Sequence, residues 1–218
     1  MPYSAEHKAK SKDRILSAAM ELFSRFGFEK VSISQIMKLA RMTHGAFYNH
    51  FESKEALYRA AFLEPLKGSR AARLVKGPLS LKHLTALVTH YCNLSELARK
   101  GRPGHEMILF NEIGNENPEV KALFETSYGN LKRMLEVRII ALSRLNKLPF
   151  EPDREAISEK ARAILASLVG AVAIARSLSD EAERHRILQS AQKQILTMLG
   201  VNERELDSLL GGEAAVAL

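Results

Sequence analysis

Apolar residues recur at helical spacing along most of the chain, and no stretch alternates with the period of a strand. The most informative pattern lies in residues 32–51, SISQIMKLARMTHGAFYNHF. Ile33, Ile36, Met37 and Ala40 fall at i, i+3, i+4 and i+7, one stripe of a helix. Ser32 precedes the stripe with Gln35 three residues on, which is capping-box chemistry. Arg41, Met42 and Thr43 interrupt the pattern, and the Thr43 hydroxyl is placed to cap a second helix. In that helix Phe47 and Phe51 are four apart and face inward, while His44, Ala46, Tyr48, Asn49 and His50 spread over the other faces. Helix, short turn, helix with a polar outer face is the geometry that enters a DNA major groove. Period alone fits an ordinary helical hairpin in an all-α core equally well.

The flanks carry further elements. From Ser11 a helix buries Ile15, Leu16, Ala19, Leu22, Phe23 and Phe26 and ends at Gly27. Residues 1–10 are polar, with Lys8, Lys10 and Lys12 at alternating positions, and read as a flexible basic arm. Ser53 caps a helix through Leu57 towards Phe62 or Leu66, placing Lys54 beside free backbone N–H groups that suit a phosphate. Residues 67–80 read as a connector, and Ser80 caps a helix bearing Leu84, Val88 and Tyr91. Past the break at 101–104, Met107, Ile108, Leu109, Phe110 and Ile113 form a compact helix ending at Gly114. Asn117-Pro118 opens a long one with Leu123, Phe124, Tyr128 and Leu131. Two more long helices follow residues 148–152, the second closed by Gly200. The fold class expected is all-α.

Residues 11–62 resemble the DNA-binding domain of the TetR/AcrR family of bacterial one-component repressors. The likeness rests on Arg14-Ile15-Leu16, Ala18-Ala19, Leu22-Phe23 and Gly27, then on Thr43, Gly45, Phe47-Tyr48, His50-Phe51, Lys54 and Leu57, without a gap. It covers about a quarter of the chain. Residues 104–122 are similar to the ligand-domain segment of one TetR subgroup, with His105-Glu106 where that subgroup often has Cys-Pro. The resemblance implies a flexible arm at 1–10, a helix-turn-helix DNA-binding domain at 11–62 and a helical effector-binding and dimerisation domain at 63–218.

Carried over position by position, it makes His44, Asn49 and Ser34 the base-edge candidates, with Gly45 admitting close backbone approach. Ser32, Thr43, Tyr48, His50 and Lys54 are then the phosphate contacts, which set register without reading sequence. The partners implied are a double-stranded DNA operator, a small effector and a second copy of the chain. An effector pocket is expected among Leu84, Val88, Tyr91, Met107, Phe110, Phe124, Tyr128, Leu131, Leu165 and Val169. The apolar faces of the last two helices, Ile157, Ala161, Ile164, Leu168 and Val172 with Ile187, Leu188, Ala191 and Ile195, sit where family members dimerise. The same faces would serve equally to pack within one chain. In the family, the helix from Ser53 transmits ligand occupancy to the reading heads.

Charge distribution agrees with an anionic partner for the front of the chain. Residues 1–62 hold ten Lys/Arg against six Asp/Glu (+4), residues 63–110 eight against three (+5), and residues 111–218 fourteen against sixteen (−2). A uniformly basic solvated surface would not split this way.

Candidate catalytic chemistry is sparse. The chain contains no GxxxxGK[ST], GxGxxG, HExxH or GxSxG pattern, and its seven histidines show no metal-ligand spacing. No cofactor, metal or enzymatic activity is therefore expected. Cys92 is the single cysteine, so no internal disulfide forms, as suits a reducing cytoplasm. The first twenty residues are polar and no apolar run approaches about 18 residues, so neither a secretory signal nor a membrane span is expected. The function expected is a ligand-responsive, homodimeric, cytoplasmic repressor released by a hydrophobic effector. A constitutive DNA-binding module and an all-α enzyme are the alternatives.

Overall fold

Short polar side chains mark where the helices begin, much as their spacing implies. A computed structural model describes residues 5–63, 78–92, 105–151 and 153–201, the side chains at 5, 63, 87, 90, 91 and 105–107 excepted. Among these residues all regular structure is helical. The helices are α1 (Ala5–Phe26), α2 (Ile33–Leu39), a 3₁₀ helix (His44–Asn49), α3 (Lys54–Leu63), α4 (Leu81–Tyr91), α5 (His105–Asn111), α6 (Pro118–Arg144), α7 (Arg154–Ser177) and α8 (Glu181–Met198).

Ser32 and Gln35 form the capping box of α2. Ser53 Oγ accepts from Ala56 N–H at 3.0 Å and Ser80 Oγ from His83 N–H at 3.1 Å. Asn117 Oδ1 does the same for Glu119 N–H at 3.0 Å, while Asp153 and Asp180 cap α7 and α8. Gly27 ends α1 at φ +77°, a left-handed conformation that glycine adopts without strain.

Three local expectations need correcting. Residues 5–10 are not part of a loose arm but the first turns of α1. Good helix formers and the Glu6–Lys10 ion pair at 2.7 Å, one turn apart, favour that. The element at 44–49 is a 3₁₀ helix, and Thr43 makes no side-chain cap. It is only six residues long, contains Gly45, and is held at Phe47, so the short segment takes the tighter winding. Finally, α5 stops at Asn111, and Gly114 (φ +72°) belongs to the turn after it.

The described residues fall into two compact units, one drawn from residues 1–72 and 100–131, the other from 73–99 and 132–218. In the first, Ile15, Ala19, Phe23, Phe28, Ile36, Met37, Phe47, Leu57, Tyr58 and Phe62 share a core with Ile108, Val120 and Leu123. Tyr58 stacks edge-on against Phe23 (4.9 Å) and Phe28 (5.3 Å). In the second, α7 and α8 pack along each other and α8 also meets α4, where buried Gln192 donates to Thr89 Oγ1 at 2.7 Å.

Cys92 is buried there, and burial pushes its thiol up to about 12. This argues against a redox-sensing role. Native protein at pH 8 is expected to react with a thiol-specific disulfide reagent at least about tenfold more slowly than denatured protein. Equal rates would mean the thiol is open to solvent.

Candidate nucleic-acid interface

The 3₁₀ helix is held from below and open above. Phe47 (0 % exposed) and Phe51 enter the core with ring centroids 5.9 Å apart. His44, Gly45 and Asn49 are exposed, as is Tyr48 at 59 %. His50 is half-buried. Tyr48 meets His44 edge-on at 6.0 Å and Phe47 at 5.1 Å, which props its ring on the outer surface. Ser34 is exposed on the first turn of α2. The structure thus presents the base-edge candidates His44, Gly45, Asn49 and Ser34 to solvent on consecutive elements.

The phosphate candidates are placed less uniformly. Thr43 is exposed with its hydroxyl uncommitted to a cap. The Ser32 hydroxyl accepts from Gln35 N–H at 3.2 Å and donates to Gln35 Oε1 at 3.1 Å, so a phosphate would compete with the capping box. Lys54 Nζ lies 4.0 Å from the centroid of the Phe28 ring, a cation–π contact it would have to leave. The His50 pKa lies below its ordinary value, first through partial burial and then through the charges of Lys8 and Lys12.

Three long-range supports in this unit carry no signal in the local pattern. Arg14 on α1 reaches the carbonyls of Ala40 and Arg41, at the turn where Arg41 takes φ +55°. That left-handed conformation is rare for arginine, and the guanidinium helps to hold it. Glu112, just after α5, is buried. Its Oε1 accepts from Phe28 N–H and the Tyr58 hydroxyl, both at 2.8 Å, and its Oε2 from Asn115 Nδ2 at 2.8 Å. Burial and the adjacent Glu112 push the Tyr58 phenol well above the usual tyrosine range, so it remains a donor. Asn111 Nδ2 donates to the carbonyls of Ser24 (2.8 Å) and Phe23 (3.3 Å), satisfying the end of α1 from a distant segment.

The remaining candidates divide between the two units. Of the expected effector residues, Phe110, Phe124, Tyr128 and Leu131 belong to the first unit and Leu84, Val88, Leu165 and Val169 to the second. The side chains of Tyr91 and Met107 lie outside the described residues. The residues of the expected dimer face differ in burial within the single chain. Ile157, Ala161, Ile164, Val172, Leu188 and Ile195 are buried within their own chain, leaving Leu168, Ile187 and Ala191 half-buried. The two helices α7 and α8 pack along each other within the unit. The apolar positions of α7 that stay exposed are Ala156, Ala163, Ala166 and Ile174, the last at 50 %. Among the described residues no three His, Cys, Asp or Glu side chains are grouped to hold a metal, and no helix is long and apolar enough to cross a membrane.

Comparison with known proteins agrees with this geometry. Residues 15–61 match the family described as bacterial regulatory proteins, tetR family. Residues 15–61 are thus a TetR-type helix-turn-helix region. It is 30 % identical over 130 residues to the HTH-type transcriptional regulator UidR of Escherichia coli K12, covering 59 % of this chain and 64 % of UidR. It therefore spans a little under two thirds of that relative's length. Its fold is similar to that of reduced E. coli NemR (TM-score 0.69, 18 % identity, 88 % of this chain and 98 % of that one). It is likewise similar to Bacillus subtilis FadR in complex with stearoyl-CoA (TM-score 0.62, 18 % identity, 88 % and 99 %). The all-α TetR architecture expected from the sequence is the one observed. The relatives are regulators, not enzymes, in line with the absence of catalytic motifs.

Proposed function

We propose that this chain is a ligand-responsive transcriptional repressor of the TetR family. It binds a palindromic operator in double-stranded DNA as a homodimer, and a small hydrophobic effector releases it. The observation that carries the reading is the 3₁₀ helix, anchored by Phe47 and Phe51 and presenting His44, Gly45, Tyr48 and Asn49 outward. Asn49 and His44 read base edges, Asn pairing with adenine N6 and N7, with Ser34 beside them and Gly45 admitting the backbone. Thr43, Tyr48, His50 and Lys54 hold phosphates, and Ser32 joins them if the capping box opens. Two heads would dock in successive major grooves about 34–36 Å apart.

On this reading residues 11–62 carry the DNA-binding function and 63–218 effector binding and dimerisation, in the cytoplasm where the DNA is. The FadR neighbour solved with stearoyl-CoA supports a hydrophobic effector. Ligand binding would act through α3, biasing the chain towards a state whose heads no longer match groove spacing.

The test is fluorescence anisotropy on the duplex that the protein selects from a random-sequence pool, with excess competitor DNA and several salt concentrations. Asn49→Ala is expected to lose about 1–3 kcal/mol of discrimination at one base position. Lys54→Ala should weaken all sequences alike and lower the salt slope by about 1. A wild-type protein that selects no sequence would defeat the reading. Operator affinity unmoved by every ligand the protein binds would favour a constitutive DNA-binding module instead.

A further inference from the structure

Three cationic or ionisable groups converge at the edge of the reading surface, and the roles above use only one of them. Lys8 and Lys12 are four residues apart in α1 and so share one helix face. Lys12 Nζ stands 5.7 Å from the centroid of the Phe51 ring, directly after His50 in the chain. Lys8 and Lys12 are the two residues whose charges act on His50, and both oppose its protonation. Lys10 lies on another face of the helix and is paired with Glu6 at 2.7 Å. Glu52 is exposed, and Lys54 sits over the Phe28 ring.

Like charges gathered without an intervening anion raise the free energy of the unbound protein, and an anion placed between them relieves that. Only because residues 5–10 are helical does this face stay beside the 3₁₀ helix; a loose arm would diffuse away from it. The Lys8–Lys12 face is continuous with the proposed DNA surface through His50.

We propose that Lys8 and Lys12 of α1, together with His50, form an additional phosphate-binding site for the DNA backbone flanking the bases read by the 3₁₀ helix. The inference rests on the DNA-binding reading above and adds to its His50 two residues, Lys8 and Lys12, which that reading does not use. The two lysines neutralise a phosphate at all physiological pH values. His50 joins them once the phosphate offsets their charge, so binding takes up a proton near neutrality.

The experiment uses full-length Lys8→Gln, Lys12→Gln, the double variant, and Lys10→Gln as a same-charge control. Each is titrated against the wild-type-selected duplex between about 50 and 200 mM salt. The expected result is a salt slope lowered by about 1 for each of Lys8 and Lys12, and affinity roughly fivefold weaker per lysine near 0.15 M salt. Lys10→Gln should retain the wild-type slope. Wild-type affinity should rise from pH 8 to pH 6, and His50→Gln should flatten that rise.

A double variant with the wild-type slope overturns this site and leaves the DNA-binding reading intact. A Lys10→Gln loss as large as that of the double variant also overturns it, since the effect would then be a diffuse field. Failure of the wild-type protein to select any duplex overturns both readings. Thermal melting of each variant separates binding loss from unfolding.

Discussion

Phe47→Ala is expected to destabilise the protein by about 3–5 kcal/mol and to abolish selective DNA binding. Phe47 is fully buried, and with Phe51 it is what ties a six-residue 3₁₀ helix to the core. The cost has two parts: the lost transfer of a large aromatic side chain, and a cavity in the core it shares with Ile36, Met37 and Leu57 that close-packed neighbours fill poorly. A short 3₁₀ segment has little intrinsic stability, so loss of its anchor should release the surface carrying His44, Tyr48 and Asn49. Thermal denaturation followed by circular dichroism would show a melting temperature lower by roughly 10 °C. Phe47→Leu, which retains most of the volume, should lose much less. An alanine variant that melts like the wild type would mean packing at Phe47 does not hold the element.

Glu112→Ala comes next, with about 3 kcal/mol lost and a melting temperature lower by roughly 6–12 °C. The substitution removes the acceptor for a buried backbone N–H (Phe28) and a buried phenol (Tyr58). Each unpartnered group costs on the order of 1–3 kcal/mol, and the tyrosine cannot relieve itself by ionising because burial holds its proton on. Glu112→Gln retains an acceptor for both donors and should be milder. Tyr58→Phe combined with Glu112→Ala should cost less than the sum of the two, because one change removes the group the other leaves unsatisfied. Strict additivity would show that the hydroxyl and the carboxyl are energetically independent, contrary to their 2.8 Å hydrogen bond.

Much of the reading surface was legible in the sequence because its determinants are local. The capping box of Ser32 and Gln35, the inward pair Phe47 and Phe51, the left-handed Gly27 and the caps at Ser53, Ser80 and Asn117 are all relations within about one helical turn. The winding of residues 44–49 was not legible, since α and 3₁₀ helices of six residues bury the same few side chains. The apolar faces of α7 and α8 were visible, but their use was not. Periodicity marks a face that must be covered without naming the cover, and here Ile157, Ala161, Ile164, Val172, Leu188 and Ile195 are covered by their own chain.

The sequence by itself determined an all-α chain with a helix-turn-helix surface, its inward aromatics and its polar outer face, because helical period and capping act over four residues or fewer. Only the tertiary structure decided which distant groups meet. Glu112 finds Phe28 across 84 positions, Arg14 reaches the turn at Ala40 and Arg41, and Lys8 and Lys12 act on His50. Such pairings depend on the path of the backbone between them, which no local pattern encodes. They are also the contacts that hold the reading surface in shape and set its charge.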